Sequence, residues 1–290
     1  MMSSAPQSAG PAFSGMLRVI TVSSLVFLSV LILSLFVADI LFIKKAAIAE
    51  MFTSPDIRAA IWLTVSTSLI TTVIALIIAI PAAYALSRFA FPGRMLLDIL
   101  IDLLLVVPVL VVGVSILVLF RFGSDLALSP LPVLRMVGAL FTWLGDQIIY
   151  QRAGIVVAQF FCSVPFAVRV MKSTFDTIDP RTESVAQTLG CTATGAFMRV
   201  SLPLAFKGIF AAAILTWARA FGLFGPVSLV AGAVRRKTEV LATSIFLEIS
   251  IGRIEIALAI SILMIAIAFF ILLAVRLFTR TDALSGGALQ

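Results

Sequence analysis

Long apolar runs separated by short polar stretches organise this chain. They fall at about 17–43, 57–86, 97–120, 153–171, 204–233 and 254–278. A helix needs about 20 residues to cross a hydrocarbon layer of about 30 Å, and each run reaches or nearly reaches that length. Run length favours helix over strand, and a helix bonds its backbone groups within itself, as lipid requires. The pattern therefore predicts an all-α integral membrane protein with about six transmembrane helices. Proline and glycine mark the irregular places. Pro108 lies inside the third run, Pro165 near the end of the fourth, and AFGLFGP interrupts the fifth.

The polar exceptions carry the rest of the organisation. Residues 1–16 are small and polar and are expected to form a disordered tail. The membrane domain is expected over 17–280, with a short C-terminal tail at 281–290. The first apolar run exceeds the roughly 7–15 residues of a signal-peptide core, so it is expected to stay as an anchor. The loop at 121–152 holds the apolar patch MVGALFTWLG, too short to cross. It reads as a re-entrant segment or, in preference, a helix on the outer surface.

A longer polar-leaning stretch, ESVAQTLGCTATGAFMRVSLPL at 183–204, separates the fourth and fifth runs. Just before it, Asp179 suits an N-cap and Pro180 the first helical position. Val185 and Leu189 share a face at i, i+4. Gly190 is placed to end the helix in a left-handed conformation. A second short helix can start near Thr192 with Phe197 and Val200 on one side, before Pro203 opens the fifth run. The region 176–203 is thus a half-apolar helix–turn–helix knob with an acid, Glu183, near its start.

Composition agrees with lipid as solvent. The chain is 61% hydrophobic and 12% charged, against roughly 25% charged in a soluble domain. The net charge is +7, but the basic residues form no long run, so the surplus reads as basic loop ends rather than a nucleic-acid surface. Ten basic residues fall on each side of the six spans and Arg219 within one, so charge leaves the orientation open. The absence of histidine removes the commonest metal ligand and general base. Cys162 and Cys191 lie in unlike segments and suit neither a disulfide nor a zinc site. No G-x-x-x-x-G-K-[ST] phosphate loop occurs, so the chain carries no ATP cradle of that kind.

The polar stretch resembles the EAA loop of ABC importer permeases, which often reads Glu, any residue, Ala-Ala, any residue, Thr-Leu-Gly. Glu183, Ala186, Thr188, Leu189 and Gly190 follow that pattern, as do Phe197, Leu202 and Pro203 beyond it. Val185 stands where the first alanine of the pair is usual. WARAFGLFGPVSLVAG at 217–232 is similar to a segment of molybdate, tungstate and sulfate permeases, with Leu223 in place of the usual glutamate. ALSRFAFPGR upstream and the Thr-Glu-x-Leu element near 238–241 are also similar, so the resemblance spans about 59–277.

The resemblance implies a cytoplasmic coupling loop docked on an ATPase subunit, with Glu183, Ala186, Leu189, Gly190, Phe197, Leu202 and Pro203 shaping the joint. It implies both termini in the cytoplasm of a bacterial or archaeal cell. It also implies a permease homodimer in the lipid bilayer, an ATPase dimer holding ATP and Mg²⁺, and an extracytoplasmic solute-binding protein. No cofactor is expected in this chain, and no catalysis. The expected cargo is molybdate, tungstate or sulfate; ferric iron, thiamine or polyamine permeases share the loop. A membrane-embedded enzyme would need a polar cluster at membrane depth where only Arg219 is charged, and a scaffold or sensor would not need the EAA pattern.

The pathway should use the irregular helices. Pro108, Gly113 and Ser115 can bend the third run; Gly222, Gly225 and Pro226 can break the fifth; Phe221 and Phe224 can form an apolar gate. Packing through small residues is the plainer alternative. Arg219 lies roughly 22 Å past Leu204 at about 1.5 Å per residue. A lone arginine at that depth costs at least about 2.5–3.5 kcal/mol, so it should face a pathway, a partner or water. Asp98 and Asp102 are expected as solvated positions near a helix start. Arg235–Lys237 reads as an outer turn, either solvated or meeting an anionic solute or the binding protein.

Overall fold

A computed structural model describes residues 11–285, which are helical almost throughout, with no strand among them. The first helix, α1 (Pro11–Phe42), already includes residues 11–16 that were expected in the tail. Residues 1–10 and 286–290 lie outside the described part. From residue 15 onward, α1 is exposed along nearly its whole length and meets the rest of the chain through the last helix. A short helix, α2 (Lys45–Thr53), leads into α3 (Pro55–Arg88). Pro55 sits in the first turn of α3, where its missing N–H costs nothing.

The buried side of α3 is a stripe of small residues, Thr64, Ser68, Thr71, Ala75, Ala79 and Ala83. Such a stripe lets neighbouring helices approach closely in a membrane. Several hydroxyls are satisfied within the helix: Thr64 donates to the Ala60 carbonyl at 2.6 Å and Thr72 to that of Ser68 at 2.7 Å.

The third apolar run is two helices, α4 (Arg94–Val106) and α5 (Val109–Ala127). Pro108 does more than bend it. Val107 before the proline is forced into an extended conformation, and the helix stops there. The expected span from 97 to 120 is therefore corrected: the membrane-length helix is α5, running on to Ala127.

The patch expected as a re-entrant or surface helix is α6 (Pro132–Ile148), folded back antiparallel along α5. Glycines permit the contact. A Cβ on Gly138 would fall on the backbone of Leu126 and Ala127, and one on Gly123 would fall on Phe141.

Next comes α7 (Arg152–Thr177), packed against α3. The polar stretch follows as α8 (Pro180–Thr188), α9 (Ala193–Ala196), a π-helical turn (Phe197–Ser201) and α10 (Leu202–Leu204). The segment Ala193–Leu204 meets α11 (Phe206–Phe221) at a 68° bend. The fifth run then breaks at 222–224 and resumes as α12 (Gly225–Val230). After it stand α13 (Leu241–Ser250) and α14 (Ile254–Ser285), so part of the expected C-terminal tail is helical.

Among the described residues, five helices are long and apolar enough to cross a membrane, or six if the bent pair is one span. The interior has three apolar groups. One lies between α5, α7 and α12, one between α2, α3, α11, α13 and α14, and one between α3, α7 and α11 near the polar knob.

Candidate functional site: a docking knob and a broken-helix face

The knob is built as its sequence grammar requires. Asp179 accepts from the Arg181 backbone N–H at 2.9 Å and caps α8. Gly190 has φ +96°, and the amides of Cys191 and Gly190 close back onto the carbonyls of Ala186 and Gln187, both at 3.0 Å. This is the two-bond closure that a left-handed glycine makes possible at a helix end. Thr192 caps α9 by accepting from the Gly195 amide at 3.1 Å.

The apolar face of α8 is open in the single chain: Val185 is 57% and Leu189 82% exposed. Pro203 is also exposed, while Ala186 and Leu202 are half-buried.

Glu183 and Phe197 do something other than line that open face. Glu183 is 8% exposed and turned into its own chain. It pairs with Arg88 Nε at 3.0 Å and accepts from the Tyr84 hydroxyl at 2.6 Å and the Ser201 hydroxyl at 2.6 Å. Arg88 also donates to the Ile178 carbonyl at 2.8 Å. The basic group that meets Glu183 is thus internal, and it ties α8 to the end of α3 and to the π-helical turn.

Burial pushes the Glu183 carboxyl up, but the hydrogen bonds from Ser201, Tyr84 and Arg88 prevail and hold it below the usual carboxylate range. Phe197 faces inward as well, with its ring 4.5 Å from Tyr84. Tyr84 packs edge-on against Phe175 and Phe89. Tyr84, Arg88 and Ser201 escaped the sequence reading. The signal available was the i, i+4 spacing of Tyr84 and Arg88, which puts two donors on one face at a helix end.

The second feature joins the two broken runs. A Cβ on Gly113 of α5 would lie 2.9 Å from Pro226 Cα, and one on Gly225 would lie 2.8 Å from a Leu110 methyl. The breaks at Pro108 and at 222–224, far apart in sequence, therefore pack on each other. Pro108, Ser115, Arg219 and Gly222 remain exposed, with Phe224 at 36% and its ring tilted against that of Phe246 at 5.3 Å. Gly225 is buried at the contact.

Phe221 departs from the gate expectation. It is 4% exposed and packed against Trp217, ring centroids 4.9 Å apart, inside the core, because α11 turns it away from the open face. Leu223 is buried in the apolar group around α12.

Arg219 stands in the last turn of α11, where the helix dipole favours a cation. Its guanidinium lies 5.5 Å above the Phe166 ring. The fifth run breaks soon after it, so Arg219 is not held in the middle of a continuous 30-residue helix.

Two further expectations are corrected. Asp98 and Asp102 are not simply solvated: Arg169 of α7 clamps both, at 2.7 Å and 2.6 Å, and fastens α4 to α7. The Arg235–Lys237 turn is not a free basic patch either. Arg235 pairs with Glu248 at 3.0 Å and with Asp56 at 3.3 Å, and Arg236 also pairs with Asp56. Glu248 in turn holds Arg253 at 2.7 Å. Arg152 donates to the carbonyls of Lys237 and Arg236 at 3.1 Å and 3.3 Å. These contacts staple the loop before α13 to the starts of α3 and α7.

The fold is shared with a solved ABC transporter. It aligns with the solved bacterial alginate ABC transporter, in complex with alginate pentasaccharide-bound periplasmic protein, at TM-score 0.69. That alignment has 20% identity and covers 93% of this chain and 94% of the other. The family is shown by sequence. Residues 75–281 match the family described as binding-protein-dependent transport system inner membrane component, and the chain belongs to it.

The sulfate transport system permease protein CysT of Escherichia coli (strain K12) is 31% identical over 231 residues, 78% of either chain. The molybdate/tungstate transport system permease protein WtpB of Thermococcus kodakarensis is 33% identical over 196 residues, 66% of this chain and 70% of that one. The molybdenum transport system permease protein ModB of Mycobacterium tuberculosis is 30% identical over 227 residues, 78% and 81%. This chain is therefore a multi-pass inner-membrane permease subunit of an ABC importer.

Proposed function

We propose that the chain forms the pathway for a tetrahedral oxyanion, sulfate or molybdate/tungstate. In this reading it works as a homodimer with both termini in the cytoplasm. An extracytoplasmic binding protein delivers the anion, and a separate ATPase dimer that holds ATP and Mg²⁺ drives transport. What supports the cargo is the kinship with sulfate and molybdate/tungstate permeases, together with Arg219 on the open face beside the helix break.

The observation that carries the coupling role is the exposed Val185–Leu189 face on a knob anchored by the Glu183–Arg88 pair. A rigid mount matters because a docked partner transmits motion only through an element that does not yield. The knob continues through the π-helical turn and α10 into α11, which carries Arg219. Movement of the ATPase would thus be delivered at the base of the helix that ends in the break. Arg219 would favour anions over cations there, with its charge placed by the α11 terminus and the Phe166 ring.

The test is uptake into vesicles holding the permease, its ATPase and its binding protein, with labelled sulfate, molybdate and tungstate offered separately. ATP-dependent uptake of at least one oxyanion is expected. Arg219→Gln should cut it about tenfold or more while the complex still assembles, on the order of 1.4 kcal/mol of pathway stabilisation. Uptake of ferric iron, thiamine or a polyamine instead would overturn the cargo assignment.

A further inference from the structure

A polar contact within the apolar length of α7 reaches two neighbouring helices. Gln159 of α7 is 1% exposed and joins three helices. Its side-chain carbonyl accepts from the Thr71 hydroxyl of α3 at 2.9 Å, and its amide donates to the Ala220 carbonyl of α11 at 3.0 Å. Thr71 is distinctive on its helix, because Thr64, Thr67 and Thr72 donate to carbonyls of α3 while Thr71 reaches across.

The acceptor is equally specific. In a continuous helix the Ala220 carbonyl would take the Phe224 amide. The break at 222–224 removes that partner, leaving short-range contacts from the Gly222 and Leu223 amides, the latter at 3.3 Å, and the bond from Gln159 at 3.0 Å. One turn before Ala220, the Thr216 hydroxyl is fully buried and has no hydrogen-bond partner among the described residues. An unpaired hydroxyl is costly in such a place, and here it lies next along the same helix face as the latched carbonyl.

We propose that Gln159 is a positioning residue for transport. It holds the Ala220 carbonyl and so keeps the α11–α12 break in the arrangement seen here, while Thr216 supplies the alternative partner when the break rewinds and Phe224 reclaims that carbonyl. The inference deepens the transport reading by naming the device that sets the two states of the broken helix. Glutamine suits this task because it offers a donor and an acceptor at once, one for each neighbouring helix.

The test reads the break without any solute. In the full-length chain with Cys162 and Cys191 changed to serine, Phe224→Cys is labelled by a soluble thiol reagent in purified permease. Adding Gln159→Leu should change the labelling rate about fivefold, the size expected from one hydrogen bond's net contribution. Gln159→Glu should return the rate to near the parent value, since a buried carboxylic acid in its neutral form keeps one donor and one acceptor. Thr216→Val, which is close in shape, should move the rate the opposite way and covers the case in which the leucine variant does not fold. An unchanged rate in the leucine variant, or in Thr216→Val where the leucine variant does not fold, overturns the proposal. So does a glutamate variant that behaves like leucine. Failure of the unchanged protein to import any oxyanion would instead count against the cargo assignment.

Discussion

Glu183 holds the α8 knob from inside its own chain. Its place in the polar stretch marks it as important, but a carboxylate next to a docking face reads naturally as a contact for the partner. The structure turns it inward to Arg88, Tyr84 and Ser201. Those partners come from 99 and 95 residues upstream and 18 residues downstream, distances at which local pattern carries no information.

Replacing Glu183 by glutamine should therefore destabilise the permease by about 2–3 kcal/mol, because Arg88 stays nearly buried and loses its charge partner. The carboxyl is held below its usual range, so its contribution is complete above the unfolded value of about 4.3 and is lost as pH falls through the lower folded value. Thermal unfolding in detergent should accordingly be flat in this contribution from pH 7 to about 5 and weaken below about 4. The glutamine variant should lack that weakening. A parent and variant that lose stability in parallel would remove Glu183 as the source.

The elements divide by how local their causes are. The caps of α8 and α9 and the left-handed Gly190 were legible because each depends on neighbours a few residues away. The long helices α3, α7 and α14 were legible from their apolar length. What the chain pattern could not convey was pairing. The contact between Gly113 and Pro226, and the clamp of Arg169 on Asp98 and Asp102, arise only when separate helices meet.

Pro108 signalled a bend, and the structure makes it a full break because the extended Val107 cannot continue a helix. Gly113→Leu should push α5 from α12 and disturb both breaks together. The expected cost is about 1–3 kcal/mol, the range for overfilling a packed interface. Comparison of its unfolding midpoint with that of Ser115→Leu, on the exposed side of the same helix, checks this. Equal effects at the two positions would mean that the α5–α12 contact is not tight.

Under the proposed function, the whole permease would act as a lever with its handle at the α8–α9 knob and its working end at the α11–α12 break. The orientation that this requires puts the knob in the cytoplasm and the Arg235–Lys237 loop outside. With the native cysteines changed to serine, Thr194→Cys should be shielded from an impermeant thiol reagent added to intact cells, and Lys237→Cys should be labelled. Both positions are exposed, unlike the neighbouring Thr238, which is fully buried and would report nothing.

The central claim is that the open face of α8 is where an ATPase docks and drives this chain. Leu189 reports on it most directly, since its side chain is largely exposed and Glu183 and Arg88 hold the knob without it. In vesicles containing the permease, the ATPase and the solute-loaded binding protein, ATP hydrolysis should rise on loading. Leu189→Asp should abolish that rise and weaken recovery of the ATPase with the purified permease, while the permease unfolds at its normal temperature. Full stimulation and full recovery of the ATPase by the Leu189→Asp protein would contradict the account.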